Sequence, residues 1–207
     1  MPPEKAASDE ISPPSPTELA PGFLVAAPAL ADPNFAGSLV LMAEHHPEGA
    51  LGFVVNRPGS ITVADVLQGI DGGLRALAEA RGRGRAPVLV GGPVQPERLW
   101  ILFRPGPHAP EEGAVTVGAG VALGGSRELL EALVRAESPG PFTLLLGYAG
   151  WAPLQLEREV AAGAWVPMRL HEDLVFEVPL EQRWESAVRR LGLDPSGFMV
   201  GGGGASA

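Results

Sequence analysis

Acids, imidazoles and an Asn-Arg pair crowd one short apolar segment. Glu44, His45, His46 and Glu48 precede it, and Asn56-Arg57-Pro58 follows it. The first group has zinc-binding side chains. On a strand, however, Glu44 and His46 share one face while His45 takes the other. Two ligands on a face fall short of the roughly three or four that zinc requires, and His108 and His171 lie in unrelated contexts. A hydrogen-bonded hairpin turn is the simpler reading of this group.

His45 and Asn56 bracket the apolar segment and could converge at one end of a sheet. His45 would then serve as a general base near neutral pH, with Arg57 holding an anionic substrate. In the competing reading Asn56 closes a turn before Pro58 and His45 satisfies a buried carbonyl. Further along, Tyr148, Trp151 and Gln155 set an aromatic wall beside polar donors at a strand-to-helix junction. Free N–H groups at such a junction attract anions. Glu157 and Glu159 already complement that helix's dipole, and Trp151 with Trp165 as core anchors for that helix is the simpler reading.

Other chemistries find less support. No Gly-x-Ser-x-Gly elbow occurs, and Ser126 is better used as a helix cap. The glycines from 118 to 124 miss the dinucleotide spacing, and no Gly-Lys-Ser/Thr follows a Gly-rich loop. Nothing in the sequence calls for a cofactor.

The elements that must position these residues read as short apolar strands over 23–27, 38–43, 51–55, 88–90, 99–103, 115–117, 142–146 and 174–178. A Gly-containing joint over 45–49 predicts a hairpin. Thr62 and Asp65 predict a capped helix start, with a second short helix over 74–80. Ser126 caps a helix through 134, and Pro153 opens one running to about residue 162. Leu180, Trp184, Val188 and Leu191 recur at helical spacing. Strands joined by short turns with helices inserted irregularly predict an α+β fold.

Bulk properties narrow the classes. The 207 residues suit one domain, and at that length roughly 70% of the unfolded surface can be buried. Absence of Cys excludes disulfides, thiolate metal sites and a Cys nucleophile. The net charge of −9 argues against direct DNA binding, which draws on Lys and Arg releasing counterions. Arg81, Arg83 and Arg85 form the one basic run and read as a solvated loop. No stretch approaches the roughly 18 apolar residues of a membrane helix. Acids rather than bases precede the apolar stretch at 23–31, so the chain is expected to be soluble and cytoplasmic, without a secretory signal. Residues 1–21 are Pro-rich and expected to be a disordered arm, 22–200 a single domain, and the Gly-rich 201–207 a flexible tail.

Four stretches resemble the AlgH/YqgE family of bacterial proteins. They are Pro28-Ala29-Leu30 with Asp32-Pro33 and Phe35; Glu44-His45 with Gly49-Ala50, Gly52 and Asn56-Arg57-Pro58; Gly91-Gly92-Pro93-Val94; and Gly147-Tyr148-Ala149-Gly150-Trp151 with Gln155-Leu156-Glu157 and Trp165. The likeness covers residues 22–192. It implies an α+β fold with a coiled, bifurcated, mainly antiparallel sheet and flanking helices. Some members carry a transcriptional-regulator label, and the family's molecular function is not settled. One departure is Leu154, where the family has Gly; a Leu there is expected to fill space or block a close approach. Together these readings favour a non-catalytic binding or regulatory protein acting through a protein partner or a small ligand. The rival is a small-molecule enzyme using His45 and Asn56 with Arg57 as anion holder. The candidate ligand-binding residues are Glu44, His45, Asn56, Arg57, Tyr148, Trp151 and Gln155.

Overall fold

The computed structural model describes residues 19–106, 114–118, 120–136 and 140–200. Residues 1–18 of the arm, the 201–207 tail, His108 and Ala119 lie outside them. Leu19, which composition assigns to the arm, is 3% exposed and packs with Leu24, Val40 and Met42. Leu19 is therefore part of the packed core although it lies within the arm expected over 1–21.

Strands β1 (Gly22–Ala26), β2 (Leu39–His46) and β3 (Gly49–Val54) come from the apolar runs, and β2 and β3 form the expected hairpin. Val40 faces Val54 at one end and His46 faces Gly49 at the turn. The ladder is not regular. Met42 faces Gly52 but Glu44 faces Leu51, so Ala43 is an extra residue on β2. This bulge reverses the phase of every side chain beyond it. Without it His45 would share the side of Leu41. With it, His45 points to the side of Met42, while Glu44 and His46 point to the other.

The remaining strands are β4 (Pro58–Thr62), β5 (Pro87–Val90), β6 (Val94–Phe103), β7 (Ala114–Gly118), β8 (Val121–Gly124), β9 (Phe142–Trp151) and β10 (Trp165–Arg169). The main sheet runs β10-β1-β2-β3-β9-β6-β8-β7, and β5 and β4 branch from β9. Every pairing is antiparallel except β5 with β9. The sheet forks along β9, whose Leu145 and Leu146 pair with β5 and whose Ala149 to Trp151 pair with β3. At the fork Gly92 (φ 154°) crosses over β9, where a Cβ would lie 2.2 Å from the Tyr148 carbonyl carbon. Gly147 (φ 70°) is equally constrained, since its Cβ would fall 2.4 Å from the Gly92 oxygen. Only glycine fits both the backbone angle and the approach. The sheet also curls into a half-barrel, bringing Gly118 at the end of β7 against Leu170 and Pro21 beside β10 and β1.

Helices α1 (Val63–Gln68), α2 (Gly72–Ala80) and α3 (Arg127–Arg135) share a core with β5, β6 and β9. Thr62 caps α1 in a full capping box with Asp65, and Ser126 Oγ accepts from Leu129 N at 3.1 Å. Helices α5 (Asp173–Phe176) and α6 (Arg183–Arg190) close the concave side, while α4 (Gln155–Ala161) covers the outer side with Trp151 and Trp165. A final helix, α7 (Pro195–Val200), follows. Among the described residues no helix is long and apolar enough to cross a membrane.

Several expectations are corrected. The strand expected over 174–178 is α5, where Asp173 pairs with Arg190 of α6 and Leu174 and Val175 are buried. Pro153 precedes the helix instead of opening it. The arginine loop is not simply solvated. Arg81 donates to the carbonyls of Val134 and Ala136, both at 2.6 Å, and Arg83 to that of Gly140 at 3.2 Å.

Candidate functional site

The family-like stretches meet in space. Ala50 faces Trp151, Leu51 faces Gly150 and Gly52 faces Ala149, so the hairpin and the Gly147-to-Trp151 stretch are neighbouring strands. Their two faces hold different chemistry.

On the outer face His45 is nearly buried, its side chain 8% exposed. Its Nε2 lies 3.0 Å from Glu157 Oε1 of α4, and its Nδ1 accepts a long 3.5 Å bond from Leu19 N. These partners assign the neutral Nε2–H tautomer. Glu157 is held below the ordinary carboxylate range, first by its own amide in the first helical turn and then by His45. Nearby, one oxygen of Glu159 accepts from Trp151 Nε1 at 2.9 Å and Trp165 Nε1 at 2.8 Å. The other accepts from Gln155 Nε2 at 2.8 Å, and Gln155 Oε1 accepts from Ala152 N at 3.0 Å. Phe35 stacks on Trp151 and meets Trp165 edge-on.

At the far end of the hairpin Asn56 and Arg57 grip one loop. Asn56 Oδ1 accepts from Leu39 N at 2.8 Å and its Nδ2 donates to Gly37 O at 2.9 Å. Arg57 donates to the carbonyls of Pro33, Asn34 and Ala36. The fold thus keeps Asn56 and Arg57 away from His45, because His45 faces Ala50 while Val40, near the other end of the hairpin, faces Val54. The convergence of His45 with Asn56 does not occur. Asn56 does not close a turn before Pro58 through its own backbone but pins the 37–39 segment, and His45 bonds a carboxylate and an amide instead of a carbonyl.

On the concave face Glu44 and His46 are exposed beside Leu51 and Gly150. Tyr148 follows on the same face, its ring edge-on to Trp100, which Arg98 covers at 4.1 Å. A depression of about 260 Å³ lies at the turn end of the hairpin, lined by Glu44, His46, Glu48, Leu51 and Trp151 with Gly49 and Ala50; Tyr148 lies on the same face without lining it. Glu44 and the Tyr148 hydroxyl have no hydrogen-bond partner among the described residues. No three His, Asp or Glu side chains gather at one point among those residues.

An AlgH-like family model matches residues 23–196. The chain belongs to the AlgH-like family. It is 80% identical to a UPF0301 protein of Anaeromyxobacter dehalogenans, over 93% of this chain and 98% of that one. Identity to a UPF0301 protein of Ralstonia nicotianae is 39%, over 89% and 94%. The solution structure of AlgH from Pseudomonas aeruginosa superposes with a TM-score of 0.68 at 30% identity, covering 95% of this chain and all of that one. A protein from Corynebacterium diphtheriae shares the fold, with a TM-score of 0.66 at 21% identity.

In this AlgH-like chain the departure at Leu154 is a backbone matter. Leu154 sits at φ 60°, ψ 6° at the start of α4, and its side chain is 65% exposed. It neither fills space nor blocks an approach; the left-handed conformation is what suits glycine. Glu157 and Glu159 were the residues whose roles sequence reasoning missed. Buried indole N–H groups need acceptors, and the spacing of Gln155 and Glu159 by one helical turn was the available signal.

Proposed function

We propose that this AlgH-like protein is a non-catalytic binding protein of the cytoplasm, engaging a protein partner or small ligand through the concave shelf of Glu44, His46 and Tyr148. One observation carries the reading. His45, Asn56, Arg57, Trp151 and Gln155 spend their polar groups on other parts of the fold, whereas Glu44 and the Tyr148 hydroxyl are left to a binding partner. The first five hold the fold together, and the last two recognise. With Glu44 and Glu48 beside an aromatic ring, the shelf suits a group that donates hydrogen bonds or carries positive charge.

The test is a photo-reactive phenylalanine analogue at position 148 of the full chain in bacterial cells, with the same group at exposed Arg135 as control. Discrete adducts at 148 and none at 135 are expected. Identical adduct patterns at both positions, or no adduct at 148, would overturn the reading.

A further inference from the structure

His45 is the one imidazole on the outer face of the hairpin, and both its nitrogens are occupied. Nε2 faces Glu157 of α4, and Nδ1 faces the amide of Leu19, the first described residue, just ahead of β1. Leu19 is itself buried, in the cluster that holds Met42, Trp151 and Leu156. We propose that His45 is a proton-controlled tether for this segment ahead of β1: the neutral ring holds Leu19 in place and the protonated ring lets it go.

The chemistry follows from the donor count. A neutral ring with its hydrogen on Nε2 donates to Glu157 and accepts from Leu19. Protonation puts a second N–H on Nδ1, opposite the Leu19 N–H, and that bond is replaced by a donor–donor repulsion. The proton also turns the Glu157 contact into an ion pair, so the carboxylate favours the state in which Leu19 is unbound. Acidification thus exchanges one partner for a stronger hold on the other.

Among the described residues, the charges around this point are engaged elsewhere or face away, with Arg158 acting on Glu157. Opposite His45 on β3 stands Ala50, and Leu19 contributes an uncharged amide. On α4 Arg158 Nε donates to the Leu154 carbonyl, and Glu159 is taken by the two indoles and Gln155. Glu44 and His46 point to the opposite face of the sheet. Among the described residues, Glu157 is the charged group in contact with the ring.

Amide exchange by NMR on the full chain, from about pH 8 to about pH 5, tests this. The His45 ring resonance and the Leu19 amide are followed together, with exchange corrected for its intrinsic pH dependence. Leu19 protection is expected to fall roughly tenfold or more in step with the His45 titration. Glu157→Gln should move both midpoints together to lower pH, and His45→Gln should remove the pH dependence. Leu19 protection that stays constant while His45 titrates would overturn the proposal. So would the same release in His45→Gln. Wild type and Glu157→Gln decide the matter even if His45→Gln fails to fold.

Discussion

Trp151 and Trp165 aim their indole N–H groups at a single oxygen of Glu159, at 2.9 and 2.8 Å. One acidic residue thereby ties the end of β9, helix α4 and the start of β10 together. Glu159→Ala leaves both indole donors and the Gln155 amide without that acceptor. It should destabilise the fold by about 2–4 kcal/mol, since each orphaned donor costs about 1–3 kcal/mol where it is buried. Urea unfolding measures the loss, and near-UV circular dichroism should show the indole signal flattening. Glu159→Gln, which retains one oxygen, should cost less.

The Asn56–Arg57 grip makes a second, separable prediction. Arg57→Lys keeps the charge but cannot reach three carbonyls with a planar fork. It should loosen residues 32–38 and raise their amide exchange, while the β2–β3 ladder stays protected. Loss of about 1–2 kcal/mol is expected for Arg57→Ala. An equal rise in exchange across β2 and β3 would contradict this local role.

Leu154 carries strain that can be relieved. A left-handed non-glycine residue costs about 1–2 kcal/mol, and glycine gives back part of this through unfolded-state entropy. Leu154→Gly should therefore stabilise the protein by about 0.5–1 kcal/mol, raising its thermal midpoint slightly. Because the side chain is exposed, no packing is lost.

The hairpin, both helix caps and the α+β class were legible because their signals are local. Thr62 with Asp65, Ser126 before Leu129, and a glycine joint between apolar runs each act within a few residues. The site was less legible for physical reasons. A single bulge at Ala43 decides which face His45 occupies, and nothing in the alternation of residues 39–46 announces it. The contact between His45 and Glu157 spans 112 positions. Gly147 and Gly92 stand out in the sequence only as parts of the family-like stretches, yet they permit a strand crossing inside a continuous β9. The apolar run at 174–178 carries strand propensity, but burial of Leu174 and Val175 and the Asp173–Arg190 pair settle it as α5.

Acid should weaken the fold through groups whose carboxyls are held low. Asp173 is lowered chiefly by its hydrogen bonds to Arg190, and Glu157 by its own amide and His45. A folded pKa below the unfolded one means stability present above the unfolded value and lost as pH falls through the folded value. The reference values are 3.8 for Asp173 and 4.5 for Glu157, so the decline belongs below about pH 4. Urea midpoints should fall over that range, and more shallowly in Asp173→Asn, which starts lower at neutral pH. A midpoint flat from neutral pH down to about pH 3 would contradict these assignments.

The division between residues that hold the fold together and residues that recognise is tested most directly by adduct yield at position 148, measured beside the urea midpoint in two variants. Glu44→Lys should cut the yield tenfold or more while shifting stability by no more than about 0.5 kcal/mol, as an exposed side chain without partners should. Glu159→Ala should lower the midpoint and still give the adduct in proportion to its folded fraction. An unchanged yield in Glu44→Lys, or a folded Glu159→Ala that gives none, would contradict the division.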